Sequence, residues 1–179
     1  YNVGSNFTFN RPQYVAPLNI ITTSVINPGD TAKFMDPFQA KFAVGFTGTN
    51  GVWMTKQALD FGKTPEWIKL GNVSGTTEAM KWSEDGDILY VGTSSGSLYR
   101  FSNMNAVVDS ANADLTLDTN SVVVKTQIAS FAARAITDIS VDPVNKGKLA
   151  VVLGNYGQSS YVYYSSTADV CAQAFNTSN

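Results

Sequence analysis

Apolar and polar residues alternate along much of this chain with a period of two. Phe42, Val44 and Phe46 alternate with Lys41, Ala43 and Gly45, the spacing of a strand that buries one face of a pleated sheet. A helix would need apolar residues three and four apart, and this stretch does not have them. One grammar recurs over residues 41–71, 77–131 and 136–175. Each stretch opens with a turn, runs through a strand to a small residue, turns on Gly or Ser, and enters an aromatic strand. The three versions are Phe42-Ala43-Val44-Gly45 before Gly51-Val52-Trp53-Met54-Thr55, Leu89-Tyr90-Val91-Gly92 before Gly96-Ser97-Leu98-Tyr99-Arg100, and Leu149-Ala150-Val151-Val152-Leu153-Gly154 before Ser160-Tyr161-Val162-Tyr163-Tyr164.

This pattern predicts strands at 32–35, 41–47, 52–56 and 67–70 in the first unit, the alternation being that of a sheet packed against its neighbours. In the second unit strands are expected at 78–82, 88–92, 97–101 and 121–128; Asp85-Gly86 supplies the tight turn between the first two. The third unit predicts strands at 135–141, 148–153 and 160–165, with a fourth at 172–175 or missing. Before them, apolar pieces broken by Pro12, Pro17 and Pro28-Gly29 read as the outer strand of a preceding unit and a connection. Repeats of roughly 45–60 residues holding several short strands are the mark of a β-propeller. The expected fold is all-β: about three four-stranded antiparallel blades at 31–76, 77–134 (with a polar insertion at 102–120) and 135–179, plus a remnant at 1–30. Propellers close with four to eight blades, because each blade exposes two apolar faces until both neighbours are present. The chain is therefore expected to form part of a larger ring, and Tyr1 without an initiator Met reads as processing or a piece of something longer.

Composition narrows the chemistry. In 179 residues, 44% are hydrophobic and 12% aromatic, enough for a sizeable core. Only 15% are charged and the net charge is -2, so the basic field that phosphate backbones require is missing and no nucleic-acid partner is expected. Ser, Thr, Asn and Gly take the place of charge, a balance that tilts the expectation toward an extracellular location. The chain has no histidine, which removes Ser-His-Asp and Cys-His catalysis, histidine-ligated zinc and the usual near-neutral base. Cys171 is the single cysteine. It excludes an intrachain disulfide and reads as a half-buried strand or turn residue, with an interchain bridge or reactive thiol as the alternative. No apolar run is long enough for a membrane-spanning helix.

Candidate sites are few. Glu84, Asp85 and Asp87 share a hairpin, but calcium takes six to eight oxygens and turn chemistry accounts for Asp85-Gly86 without an ion; calcium stays an open alternative to an expectation of no cofactor. A sialidase-like site would need clustered arginines, a Tyr nucleophile with a Glu partner and an Asp acid. The only arginines are Arg11, Arg100 and Arg134, and Tyr90 and Tyr99 fall within predicted strands, where packing is the ordinary explanation. No catalytic, cofactor or metal residues are assigned on this basis.

Asp60, Gly62, Thr64 and Trp67 stand in the order of an Asp-box, in stretched form, and the corresponding places in the other units are degenerate. Together with Ile136-Thr137-Asp138-Ile139-Ser140-Val141-Asp142-Pro143 and Leu149-Ala150-Val151-Val152, this pattern resembles exported β-propellers of the sortilin and Asp-box repeat type, and blades in large Bacteroidetes cell-surface proteins exported by the type IX route. In such families the box is structural: its Asp ties the turn together and its Trp packs under the hairpin. Three similar units, no histidine, low charge and no complete catalytic set lead to the expectation of a non-catalytic extracellular or cell-surface module that binds protein or glycan through loops at 47–51, 94–96 and 155–159, since loops on a rigid scaffold are where such folds diverge in function. The alternatives are a glycan-directed hydrolase with catalytic residues partly outside this chain, and a passive component of a secretion or gliding-motility assembly.

Overall fold

The computed structural model describes the backbone of residues 6–9 and residues 41–56, 65–107, 122–154, 157, 159–172 and 175–177. Its strands run β1 (Asn6–Phe9), β2 (Phe42–Gly45), β3 (Val52–Thr55), β4 (Ile68–Gly71), β5 (Thr77–Trp82), β6 (Leu89–Thr93), β7 (Ser97–Ser102), β8 (Val124–Ser130), β9 (Ile136–Val141), β10 (Leu149–Leu153), β11 (Val162–Ser165) and β12 (Asn176–Thr177). They form three four-stranded sheets in the orders β1-β2-β3-β4, β5-β6-β7-β8 and β9-β10-β11-β12. Every pairing is antiparallel between consecutive strands. The all-β expectation holds.

Two apolar clusters join the sheets in series. Ala43, Val52, Met54 and Ile68 of the first sheet pack with Leu89, Val91, Tyr99 and Phe101 of the second. On its other side the second sheet offers Tyr90, Leu98 and Ile128 to Ile136, Leu149, Val151 and Leu153 of the third. The second sheet is thus covered on both faces, which is why all of β6 is buried and its sequence reads as an unbroken apolar run ending in Gly92 and Thr93. The leading strands lie side by side, β5 touching both β1 and β9.

The side of β2 that packs on the second sheet is the Lys41, Ala43 and Gly45 side: Lys41 is 3% exposed and Ala43 fully buried, while Phe42 and Val44 are half-buried. Small residues permit the close approach of β5, so the side with less apolar bulk is the more buried. Three expectations are corrected. The strand beside β2 is Asn6–Phe9, within the stretch assigned to a preceding unit; residues 32–35, expected there, lie outside the described residues. A long connection separates the partners, and proximity in sequence misled the pairing. The last strand of the third sheet is Asn176–Thr177, beyond the expected 172–175. Cys171 is exposed rather than half-buried, because it follows the turn at Thr167 that accepts its N–H at 2.8 Å.

Among the described residues no helix is long and apolar enough to cross a membrane.

Candidate binding face

At one end of the sheets, loops and connections form a single hydrogen-bonded row. The β2–β3 loop makes a short 3-10 turn at Gly48–Asn50. Gly48 N–H donates to the Gly75 carbonyl at 2.9 Å and Val73 N–H to the Gly48 carbonyl at 3.2 Å, tying this loop to the β4–β5 connection. That connection continues to the β6–β7 loop: Ser94 N–H donates to the Thr76 carbonyl at 2.8 Å, and the Ser95 hydroxyl to the Ser74 carbonyl at 2.9 Å. Phe131 N–H then donates to the Gly96 carbonyl at 2.8 Å, and Gly154 N–H to the Ala135 carbonyl at 2.8 Å. Arg134 completes the row, giving Nη1 hydrogen bonds to the Ser160 and Ser159 carbonyls at 2.9 and 3.2 Å and stacking 5.5 Å above the Tyr161 ring.

The loops expected to carry the working surface, 47–51 and 94–96, are in this row, and of the third, Ser159 joins it through Arg134 and Gly157 N–H donates to the Tyr161 hydroxyl at 3.2 Å; residues 155, 156 and 158 lie outside the described residues. Sequence reading missed the two connections, 72–76 and 131–135, which bind the loops into one rigid strip. Their Gly-Thr and Ala-Ala-Arg content gave no signal beyond a turn. Exposed groups on the strip include Thr47, Thr49, Asn50, Asn72, Ser74 and Tyr161. Its described residues contain Arg134 and no carboxylate, and Lys69 and Lys125 reach it from β4 and β8, donating to the Thr49 and Asn72 carbonyls at 2.7 and 2.9 Å. Such a surface offers hydroxyl and amide donors and acceptors, and supplies no acid–base pair.

Below Arg134, a groove of about 520 Å³ opens between the second and third sheets, with Phe131, Leu153, Tyr163 and Phe175 in its walls. Phe131 sits 4.8 Å from the Tyr163 ring and 5.8 Å from Phe175. At its rim Ala132 and Ala133 have φ of 47° and 60°, and Arg134 N–H bonds back to the Phe131 carbonyl at 3.0 Å. Two consecutive left-handed residues closed by that bond make a mirror-image turn, which Asn-Gly adopts with little strain and Ala-Ala does not. Replacing Ala132→Asn together with Ala133→Gly is expected to stabilise the fold by about 1–2 kcal/mol, seen as a higher thermal midpoint. An unchanged or lower midpoint would show that the turn carries no strain.

The opposite end is charged, and its charges join neighbouring sheets. Lys146 Nζ lies 2.8 Å from Asp85 Oδ2, and the Tyr90 hydroxyl donates to the Lys146 carbonyl at 2.8 Å. Burial alone would raise the Asp85 carboxyl, but bonds from Lys146, Ser83 and the Asp87 N–H outweigh it and hold the pKa below the usual value. Lys41 Nζ donates to the Gly86 carbonyl at 2.7 Å and to Asn105 Oδ1, so this turn is held from both sides. Ala43 and Gly45, on the same strand face as Lys41, are small enough to permit the close approach of β5 that buries it, but nothing in the local sequence announces that approach. With Asp85 committed to Lys146 and Ser83, and Asp87 Oδ1 accepting the Asn105 N–H at 3.1 Å, the hairpin carboxylates serve the turn. Among the described residues no group of three or more His, Cys, Asp or Glu could hold a metal ion.

Burial, and then the charge of Lys56, bring the Lys41 pKa down to about 8, against attraction from Asp87 and Asp85. Because the folded value is depressed, the penalty is fully present below about pH 8. Above it the unfolded state holds the extra proton, so stability rises with pH. Tyr90 acts in the other direction. Burial, then Asp169, raises its pKa, so beyond about pH 10 unfolded tyrosine ionises first and stability falls. Denaturant midpoints are expected to rise above about pH 8 and turn down beyond about pH 10. Lys41→Met should flatten the rising limb; persistence of that limb in the variant would remove Lys41 as its cause.

The other expected features are dispersed. Arg100 Nη1 donates to the Ala168 carbonyl at 2.8 Å in the seam between sheets, Arg134 is held by loop carbonyls, and Arg11 lies outside the described residues. Tyr90 is fully buried, and the Tyr99 hydroxyl accepts the Ser74 N–H at 3.1 Å. Asp60, Gly62 and Thr64 lie outside the described residues; Trp67 packs edge-on to Phe42 at 6.0 Å. No protein-family model matches this chain, and no curated protein does.

Proposed function

We propose that the three sheets are successive blades of a β-propeller and that the chain is a non-catalytic binding module, contacting a protein or glycan through the hydrogen-bonded loop strip. The observation that carries this reading is the strip itself, a rigid, hydroxyl-rich surface without a carboxylate among its described residues. Loops held on a packed scaffold bind with little ordering cost. The serial packing of sheets, with leading strands side by side, supports the blade arrangement. An exported or cell-surface location goes with this reading, on the low charge and abundant Ser, Thr and Asn.

A hydrolase acting on glycans would require paired carboxylates near the ligand, and the strip supplies none among its described residues. The test uses affinity capture and a panel of immobilised oligosaccharides, run in parallel with an assay for sugar release. Binding without product release is expected, lost in a variant carrying Asn50→Arg and Ser95→Arg and kept in Val144→Arg at the charged end. Release of sugar, or binding indifferent to the loop substitutions, would overturn the proposal.

A further inference from the structure

The groove between the second and third sheets has the makings of a ligand site. Phe131 follows β8, Leu153 ends β10, Tyr163 lies on β11 and Phe175 precedes β12, so the walls come from two neighbouring sheets and no further sheet is needed to form them. Its volume of about 520 Å³ falls among small-molecule pockets, which pair an apolar lining with a few placed polar groups. Phe131 is buried and packs on Tyr163 and Phe175 at 4.8 and 5.8 Å. Tyr163 and Phe175 are only half-buried, which leaves aromatic surface for a ligand to cover.

Arg134 is the charged residue of the lining, and it is oriented without being neutralised. Nη1 donates to the Ser159 and Ser160 carbonyls, Nη2 reaches the Gly154 carbonyl at 3.4 Å, and the Tyr161 ring lies 5.5 Å from Cζ. These acceptors carry no net charge, and among the described residues Arg134 is in no ion pair. A guanidinium has five N–H donors; here Nε is buried without a partner, and Nη2 keeps one N–H to give. An unpaired buried donor on a charged group is costly. An anion bonded to Nη2 would offset that cost through its field, without itself touching Nε. At the rim, Ala132 and Ala133 hold left-handed conformations with methyl side chains, so the mouth stays open beside the cation. Backbone strain of this kind collects at ligand sites.

We propose that this groove binds a small molecule in which an aromatic or other flat apolar body carries a carboxylate. The body lies against Phe131, Tyr163 and Phe175, and the carboxylate meets Arg134. This site lies beside the hydroxyl-rich strip and does not depend on what the strip contacts.

The test follows amide chemical shifts of the 179-residue chain during titration with 2-naphthoate. Shifts are expected at Ala129, Phe131, Arg134 and Tyr163, with a Kd of about 1 mM, ordinary for a fragment of that size. The neutral 2-naphthamide, of the same shape, should bind at least about tenfold more weakly, since it forgoes the charge-assisted bond. That comparison uses the unaltered protein. Ser130→Trp, at an exposed position in the lining, should fill the groove and abolish the shifts, whereas Asn50→Arg on the strip should leave them as they are. Absence of shifts, equal affinity for acid and amide, shifts mapping outside the groove, or a folded Ser130→Trp variant that still binds would each overturn the proposal. An apolar pentapeptide with a free C-terminal carboxylate that binds where the naphthoate does not would give the groove to a chain end, and would overturn the small-molecule assignment.

Discussion

A Gly92→Val variant is expected to unfold about 6–12 °C below the parent chain, corresponding to a loss of about 3 kcal/mol. The position is not demanding in backbone conformation; what it lacks is room. A Cβ there would stand 2.7 Å from Ile136 Cβ, and Ile136 is fully buried between the second and third sheets. Seating a valine requires either a shift of β9 away from β6, which opens the apolar cluster, or strained rotamers on both sides. Ile136→Ala alone should also destabilise, by about 2–5 kcal/mol through the cavity it leaves. In combination the two should cost less than their sum, because the added methyls occupy the vacated space. Additive losses in this double-mutant cycle, measured by denaturant titration, would mean that the glycine is not reserved for Ile136.

Phe101→Ala is expected to cost about 3–5 kcal/mol. Phe101 is fully buried in the cluster joining the first two sheets, among Leu89, Tyr99 and Met104. Leu89 and Tyr99 belong to strands already fixed by ladder hydrogen bonds, so they cannot collapse into the void, and the cavity cost adds to the lost transfer energy. Tyr164→Ala provides the contrast: at 47% exposure it should change stability by less than about 1 kcal/mol in a monomeric sample. Equal losses at the two positions would argue that the third sheet's outer face is as covered as the inter-sheet core.

Most strands were legible because their period is local. The alternation in 41–47, the Asp85-Gly86 turn and the Val-rich run at 149–153 each announce a strand from a few neighbouring residues, and β2, β3, β6, β7, β10 and β11 fall where they predict. Features that depend on distant partners were not legible. The identity of the strand beside β2 is decided across the long connection from Phe9 to Phe42. The inverted burial around Lys41 follows from how closely β5 approaches, which residue size permits but does not announce. In the sequence pattern Gly154 stands where Gly45 and Gly92 do, but the cross-strand pairings give that place to Val152, because the third hairpin is longer and moves its glycine out of the strand. The candidate face was half visible: the Ser, Thr and Gly loops advertise themselves, and the connections that lock them together do not.

Hydrogen exchange along β6 tests the stacking of the three sheets most directly. This strand is paired on both edges by β5 and β7 and covered on both faces, all five residues being buried. Its amides should therefore exchange only through global unfolding and be the slowest in the chain. Strand β11, whose Val162 and Tyr164 are exposed, should exchange faster. Protection of Leu89–Thr93 no greater than that of Val162–Ser165 would contradict a second sheet sandwiched between its neighbours.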